Sequence, residues 1–268
     1  MHIQLTFKNI TAEQKELLIA HLYEHCDGFE EFDDSLKAVL TKENISTDVQ
    51  QLFNQLQLVP EIEKIPVQNW NELWESNFTP VIIDDKVAVR AGFHDPIHSV
   101  AHEIIITPKM SFGTGHHATT SLMIALMCAL DFTGKNVFDF GTGTGILAIL
   151  AKKLGAANVI ASDVDSWSIE NAKENFEANH ISTINLIQDD QVIDVFGQHI
   201  ILANINKNVL LHTIPSLSAL LEKNGSLLLS GLLESDEEEI SILSTNCGLS
   251  KEEKCAKNGW IALRFNKL

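Results

Sequence analysis

The hydrophobic pattern changes its period twice along this chain. HIQLTFK (2–8) alternates apolar and polar residues, the period-two signature of a half-buried strand. Thr11 then heads a run in which Leu17, Leu18, Leu22 and Cys26 recur at helical spacing, and Gln14 three residues on completes a capping-box pattern. FEEF (29–32) and LKAVLT (36–41) read as short strands. STDVQQLFNQLQL (46–58) reads as a helix starting at Ser46 or Thr47, and EIEKIPV (61–67) as a fourth strand. The order β-α-β-β-α-β is the ferredoxin-like, split-βαβ pattern, so residues 1–66 are expected to form a small α+β domain.

Residues 67–110 read as a transition. NWNELWESNF (69–78) puts Trp70 and Trp74 one helical turn apart, as rings that pack a linking helix rather than stack on a ligand. VIIDDKVAVRAG reads as two short strands around Asp84-Asp85, and EIIITP (103–108) as another strand.

From Lys135 apolar strands alternate with amphipathic helices. NVFDF (136–140), NVIASD (158–163), INLIQDD (184–190), HIILAN (199–204) and SLLLSGLL (226–233) read as strands. Between them lie helices over 146–155, 166–180 (capped by Ser166) and 208–225 (closed by Asn224-Gly225 despite Pro215), with another over 235–248. Strands that are apolar throughout and alternate with helices indicate a parallel sheet covered on both faces. Asn258-Gly259, between two strand-like runs, signals a tight hairpin at the end. The expectation is a doubly wound, mostly parallel sheet with an antiparallel strand near one edge.

Composition narrows the function. The 268 residues include 36 acidic and 19 basic side chains, a net charge of −17, with 45% apolar residues. A core is affordable, and no apolar run approaches the roughly 20 residues of a membrane span. No signal peptide is expected in MHIQLTFKN, and four separated cysteines fit a reducing cytoplasm rather than a disulfide scaffold. Such acidity disfavours direct nucleic-acid binding, which needs a basic footprint, and favours a basic partner or simple solubility. His94, His98 and His102 are spaced by four, but a metal face would need a helix that Pro96 disfavours, so no metal is expected.

DFGTGTG (139–145) sits between a strand and a helix, where doubly wound sheets bind nucleotides. A dinucleotide fingerprint would need a third glycine at position 146, and that residue is Ile146. The form Asp139-x-Gly141-x-Gly143-x-Gly145 resembles motif I of class I S-adenosylmethionine methyltransferases, where the loop wraps the methionine and ribose. Asp163 ends the next strand, where a carboxylate can accept from both ribose hydroxyls. Asp165 has a structural reason at a helix start, and Asp189 and Asp190 end the third strand, where the adenine amine would sit.

SFGTGHHATTSL (111–122), ANIN (203–206) and LLSGLL (228–233), together with NWNELWESNF and DFGTGTGILAI, resemble the bacterial methyltransferases of large-subunit ribosomal protein eleven over the whole chain. The resemblance implies an S-adenosylmethionine-dependent methyltransferase domain over 111–268 and a substrate-gripping domain over 1–66. It implies a stretch folded over the cofactor, matched by Phe112, Gly113, Thr114, Gly115, His117, Thr119 and Thr120. It also implies cofactor contacts from Thr120, Gly141, Asp163 and Asn204. The chain departs from the family pattern in three places: DFGTGTG for DFGCGSG, Ala118 for a proline, and ANINKNVL for ANILAGPL.

Methyl transfer to an amine needs a neutral, aimed lone pair. Asn204, at the end of the fourth strand, is the candidate catalytic residue, because its neutral carbonyl accepts from the amine without stabilising an ammonium. No general base is required. The other readings are a protein-lysine methyltransferase with a different target, a small-molecule N-methyltransferase, which the N-terminal domain disfavours, and an NAD-dependent oxidoreductase, which Ile146 disfavours.

Overall fold

The computed structural model describes residues 2–11, 14, 15, 18, 19, 22, 26–32, 34–40, 53, 56, 58–65, 79–107, 113–189, 192 and 195–268. The chain divides into two compact units, residues 1–77 and 78–268. The linking segment with Trp70 and Trp74, most of the helix expected over 46–58, Phe112 and Asp190 lie outside the described residues.

In the first unit, strands β1 (His2–Lys8), β2 (Cys26–Glu31), β3 (Ser35–Leu40) and β4 (Glu61–Ile65) form an antiparallel sheet in the order β2-β3-β1-β4. This is the ferredoxin-like order. The alternation read from the sequence is what builds it: Ile3, Leu5 and Phe7 of β1 and Leu36, Ala38 and Leu40 of β3 are buried. They share a core with Leu18, Leu22 and Phe53. The capping box forms reciprocally: Thr11 N donates to Gln14 Oε1 at 2.9 Å and Gln14 N to Thr11 Oγ1 at 3.2 Å.

The second unit opens with a three-stranded sheet of β5 (Val81–Ile83), β6 (Val87–Arg90) and β7 (His102–Ile105). β5 and β6 are antiparallel around the Asp84-Asp85 turn, and β6 and β7 are parallel. His94 and His98 lie in the irregular segment between β6 and β7, and His102 on β7, so the three histidines share no helix.

The main sheet has seven strands: β8 (Asn136–Phe140), β9 (Asn158–Asp163), β10 (Ile184–Gln188), β11 (Gln198–Asn204), β12 (Leu221–Leu233), β13 (Leu249–Lys257) and β14 (Trp260–Lys267), ordered β10-β9-β8-β11-β12-β14-β13. The first five strands are parallel, and β14 runs antiparallel between β12 and β13. Around it are α1 (Ala118–Met127), α2 (Ile146–Lys153), α3 (Ser166–Ala178), α4 (Lys207–Leu220) and α5 (Glu237–Asn246). Both faces are covered, which is why the strands read as apolar without alternation. Ile200 and Leu202 of β11 join one core, and Ile201 and Ala203 join the other.

Three local expectations change. Asp165, not Ser166, caps α3, its Oδ1 accepting from Trp167 N at 3.0 Å. The helix expected over 208–225 ends at Leu220. Leu221 is extended and pairs with Gln198, so LEKNG joins β12 and Asn224-Gly225 bends the strand rather than closing the helix. The helix expected from 235 begins as a 3-10 turn over Glu234–Asp236.

Candidate active site

The strand order reverses between β8 and β11, and the turn after β8 lies where such a reversal leaves a crevice. The loop 141–145 is pinned to the end of β9 by successive backbone amides. Gly141 N and Thr142 N both donate to Ser162 O at 2.9 Å. Gly143 N donates to Asp163 Oδ2 at 2.8 Å, while Asp163 Oδ1 accepts from Asp165 N at 3.1 Å. Each Asp163 oxygen thus holds one amide and keeps capacity for a further donor. Below the loop, Asp139 is buried (1% exposed), and its Oδ2 accepts from Thr142 Oγ1 at 2.6 Å. Burial pushes its carboxyl up to about 7; the Thr142 hydroxyl and the Ala148 amide oppose that rise, and the Asp163 charge adds to it.

A cavity of about 650 Å³ opens over this loop. Gly113, His117, Thr119, Gly141, Gly143, Asp163, Asp165, Asp189 and Asn204 line it, so these residues singled out in the sequence come together there. Thr120 stands behind Asn204 and accepts from its Nδ2 at 3.5 Å. That bond orients the amide, and Asn204 Oδ1, buried, has no hydrogen-bond partner among the described residues. His117 caps α1, accepting from Thr119 N at 3.4 Å, with its ring edge-on to Trp260 at 4.9 Å between centroids. Thr114 Oγ1 lies 3.4 Å from His116 Nδ1 and does not line the cavity. Gly145 caps α2 with its α-carbon against Phe176 and Ala172, on the packing side of the loop.

Other lining residues had no role of their own in the sequence, although two of them, Ile205 and Gly231, lie inside the segments ANIN and LLSGLL. Ile205 follows Asn204 and threads between two glycines. A Cβ on Gly141 would meet the Ile205 side chain, and one on Gly231, in β12, would meet the Ile205 backbone. Gly231 has φ 84°, and the β12–β14 register shifts around it. A lone glycine inside a strand pattern was the available signal. Trp260, at the start of β14, lines the cavity from the far end of the chain, and no local pattern places it beside His117.

The described residues fit S-adenosylmethionine: Gly141 and Gly143 line the cavity without side chains, Asp163 offers acceptors, and Asn204 Oδ1 is a buried acceptor in the cavity wall.

Comparison with known proteins agrees with this geometry. A family model described as ribosomal protein L11 methyltransferase (PrmA) matches residues 7–268. The ribosomal protein L11 methyltransferase of Porphyromonas gingivalis is 42% identical over 264 residues, covering 93% of this chain and 90% of that one. That of Chlorobaculum tepidum is 35% identical over 279 residues, covering 97% and 95%. The crystal structure of a ribosomal protein L11 methylase from Lactobacillus delbrueckii subsp. bulgaricus superposes with a TM-score of 0.66 at 29% identity, covering 71% of this chain and all (100%) of that one.

Proposed function

The chain belongs to the ribosomal protein L11 methyltransferase family, and from that premise we propose how its cavity carries the reaction. The activity is methyl transfer from S-adenosylmethionine to ribosomal protein L11. When bound, the cofactor supplies a methyl group made electrophilic by its sulfonium. Gly141, Gly143 and Gly113 hold its methionine and ribose portion, with Phe112, Thr114, His117 and Gly145 in the surrounding motif. Asp163 would accept from the ribose hydroxyls, and Asp189, which lines the same cavity, would hold the adenine.

Asn204 is the catalytic residue. Thr120 fixes its amide, so that Oδ1 accepts an N–H of the incoming amine and aims the nitrogen lone pair. The acceptors are lysine side chains and the N-terminal amine. Removal from water favours the neutral amine that the reaction requires, and a neutral Asn204 does not oppose this as a carboxylate would. Positioning of this kind supplies much of the acceleration of a displacement, and a misplacement of about 1 Å can cost about a hundredfold. Residues 1–66 hold the basic protein substrate, and the reaction takes place in the cytoplasm.

The observation that carries this reading is Asn204 Oδ1, without a hydrogen-bond partner among the described residues, in the wall of a cavity floored by the glycine loop. Incubation with radiolabelled S-adenosylmethionine and free ribosomal proteins should label L11, and label confined to another protein would overturn the substrate. Asp163→Ala should weaken cofactor binding by about tenfold or more, as expected when a half-buried charged acceptor of hydrogen bonds is removed. Asn204→Ala should instead lower kcat by about a hundredfold with cofactor affinity nearly unchanged. Equal loss of binding in both variants would contradict these roles.

A further inference from the structure

Asn171, Asn175 and Asn179 recur every four residues along α3 and its C-cap, and all three are buried. That spacing puts them on one face. Asn179 completes the edge of β7 as a strand would: its Oδ1 accepts from Ile105 N at 3.0 Å and its Nδ2 donates to Ile105 O at 2.6 Å. Asn171 Nδ2 donates to Thr107 O at 3.3 Å. Asn175 does something different. Its Oδ1 accepts from Thr107 N at 2.7 Å, and its Nδ2 donates to Thr144 O, inside the glycine loop, at 2.8 Å. Thr144 is buried as well, and its hydroxyl donates to Gly113 O at 2.6 Å. Thr107 and Gly113, six positions apart in sequence, are therefore both fastened to one residue of the loop that floors the cavity.

Pairing of buried backbone groups accounts for some of these bonds, since such groups are almost always satisfied. It does not account for their convergence on Thr144. Asn179 alone closes the β7 edge, whereas the Asn175 and Thr144 bonds join two walls of one cavity. Gly113, Gly141 and Gly143 all line that cavity.

We propose that Asn175 and Thr144 are positioning residues for S-adenosylmethionine, a brace that holds the Gly113 side and the glycine-loop side of the cavity at the spacing the cofactor needs. The proposal rests on the reading that this cavity takes S-adenosylmethionine. A brace of this kind lowers the cost of ordering the two walls on binding, and so acts on cofactor affinity rather than on the transfer step.

The test uses the full-length protein, calorimetric titration with S-adenosylmethionine and initial rates against free L11. Asn175→Ala and Thr144→Val should each raise the Kd for S-adenosylmethionine about tenfold, while kcat at saturating cofactor stays within about twofold. Thr144→Ser keeps the hydroxyl and should recover the affinity that Thr144→Val loses. Asn179→Ala breaks bonds to Ile105 and to Asn175 O on the same face without touching the glycine loop, so it should cost stability and leave cofactor Kd as in wild type. If Asn175→Ala does not fold, the Thr144→Val and Thr144→Ser pair decides. Wild-type affinity in Thr144→Val, or the same loss of affinity in Asn179→Ala as in Asn175→Ala, overturns the brace. Failure of the wild-type protein to bind S-adenosylmethionine would overturn the earlier reading instead.

Discussion

Asp139 carries its charge badly. It lies beneath the glycine loop with its carboxyl pushed up to about 7 by burial. An unfolded aspartate ionises near 3.8. Below that value both states are protonated and the contribution to stability is complete. As pH rises, the unfolded state releases its proton while the native state keeps its own, so the contribution is lost progressively until about pH 7. A shift of this size corresponds to about 4 kcal/mol at most. Asp139→Asn keeps an acceptor for the Thr142 hydroxyl and cannot ionise. Urea unfolding at pH 5 and pH 8 should show wild type losing stability over that interval relative to the variant, and parallel behaviour would refute the argument. Sequence alone recognised Asp139 as the head of a glycine motif. It could not show that the carboxylate is buried, because that depends on α2 folding over it. Asp163 and Asn204 were more legible, since each is a polar residue at the end of an apolar strand. Their partners, the Gly143 amide and the Thr120 hydroxyl, lie 20 and 84 residues away.

At the scale of elements, strands and helices were legible where one periodicity held without competition. They misled where a local signal competed with a distant partner. Asn224-Gly225 carries the residues of a helix stop. Leu221 nevertheless leaves the helix, because it is buried in the core beneath α4 and α5 and pairs with Gln198 of β11. β12 is consequently long, and near its other end it must bend around Ile205. Gly231 permits that bend, with φ 84° and no side chain where the Ile205 backbone passes. Gly231→Ala adds a Cβ at a positive φ and against a backbone carbonyl. It should destabilise the protein by about 1–3 kcal/mol, the range for strained backbone. It should also displace the segment carrying Asn204 and Ile205, so kcat should fall more than S-adenosylmethionine affinity does. Denaturant midpoints together with titration of the cofactor would check both parts. A variant with normal turnover would show that the β12 bend does not govern the position of Asn204.

For the whole molecule, the doubly wound sheet and its antiparallel hairpin were foreseeable from alternating elements and one Asn-Gly turn. The cavity was legible only in part, because it gathers residues from Gly113 to Trp260, and spacing along the chain cannot bring those together. Charge is the whole-molecule property that bears on the substrate. Residues 1–77 hold 14 acidic and 5 basic side chains, a net charge of −9. Residues 78–268 hold 22 and 14, a net charge of −8 over a much longer stretch. Solubility alone would not require the smaller unit to be the more acidic per residue. A ribosomal protein is basic, and opposite charge speeds encounter over about one Debye length, which shrinks from about 10 Å at 0.1 M salt to about 3 Å at 1 M. With L11 as substrate, kcat/KM should therefore fall steeply as salt rises, while kcat at saturating L11 changes little. Replacing the acidic residues of the exposed β4 edge, Glu61 and Glu63, with glutamine should flatten that dependence without altering S-adenosylmethionine affinity. A kcat/KM that is independent of salt would mean that the excess charge serves solubility alone.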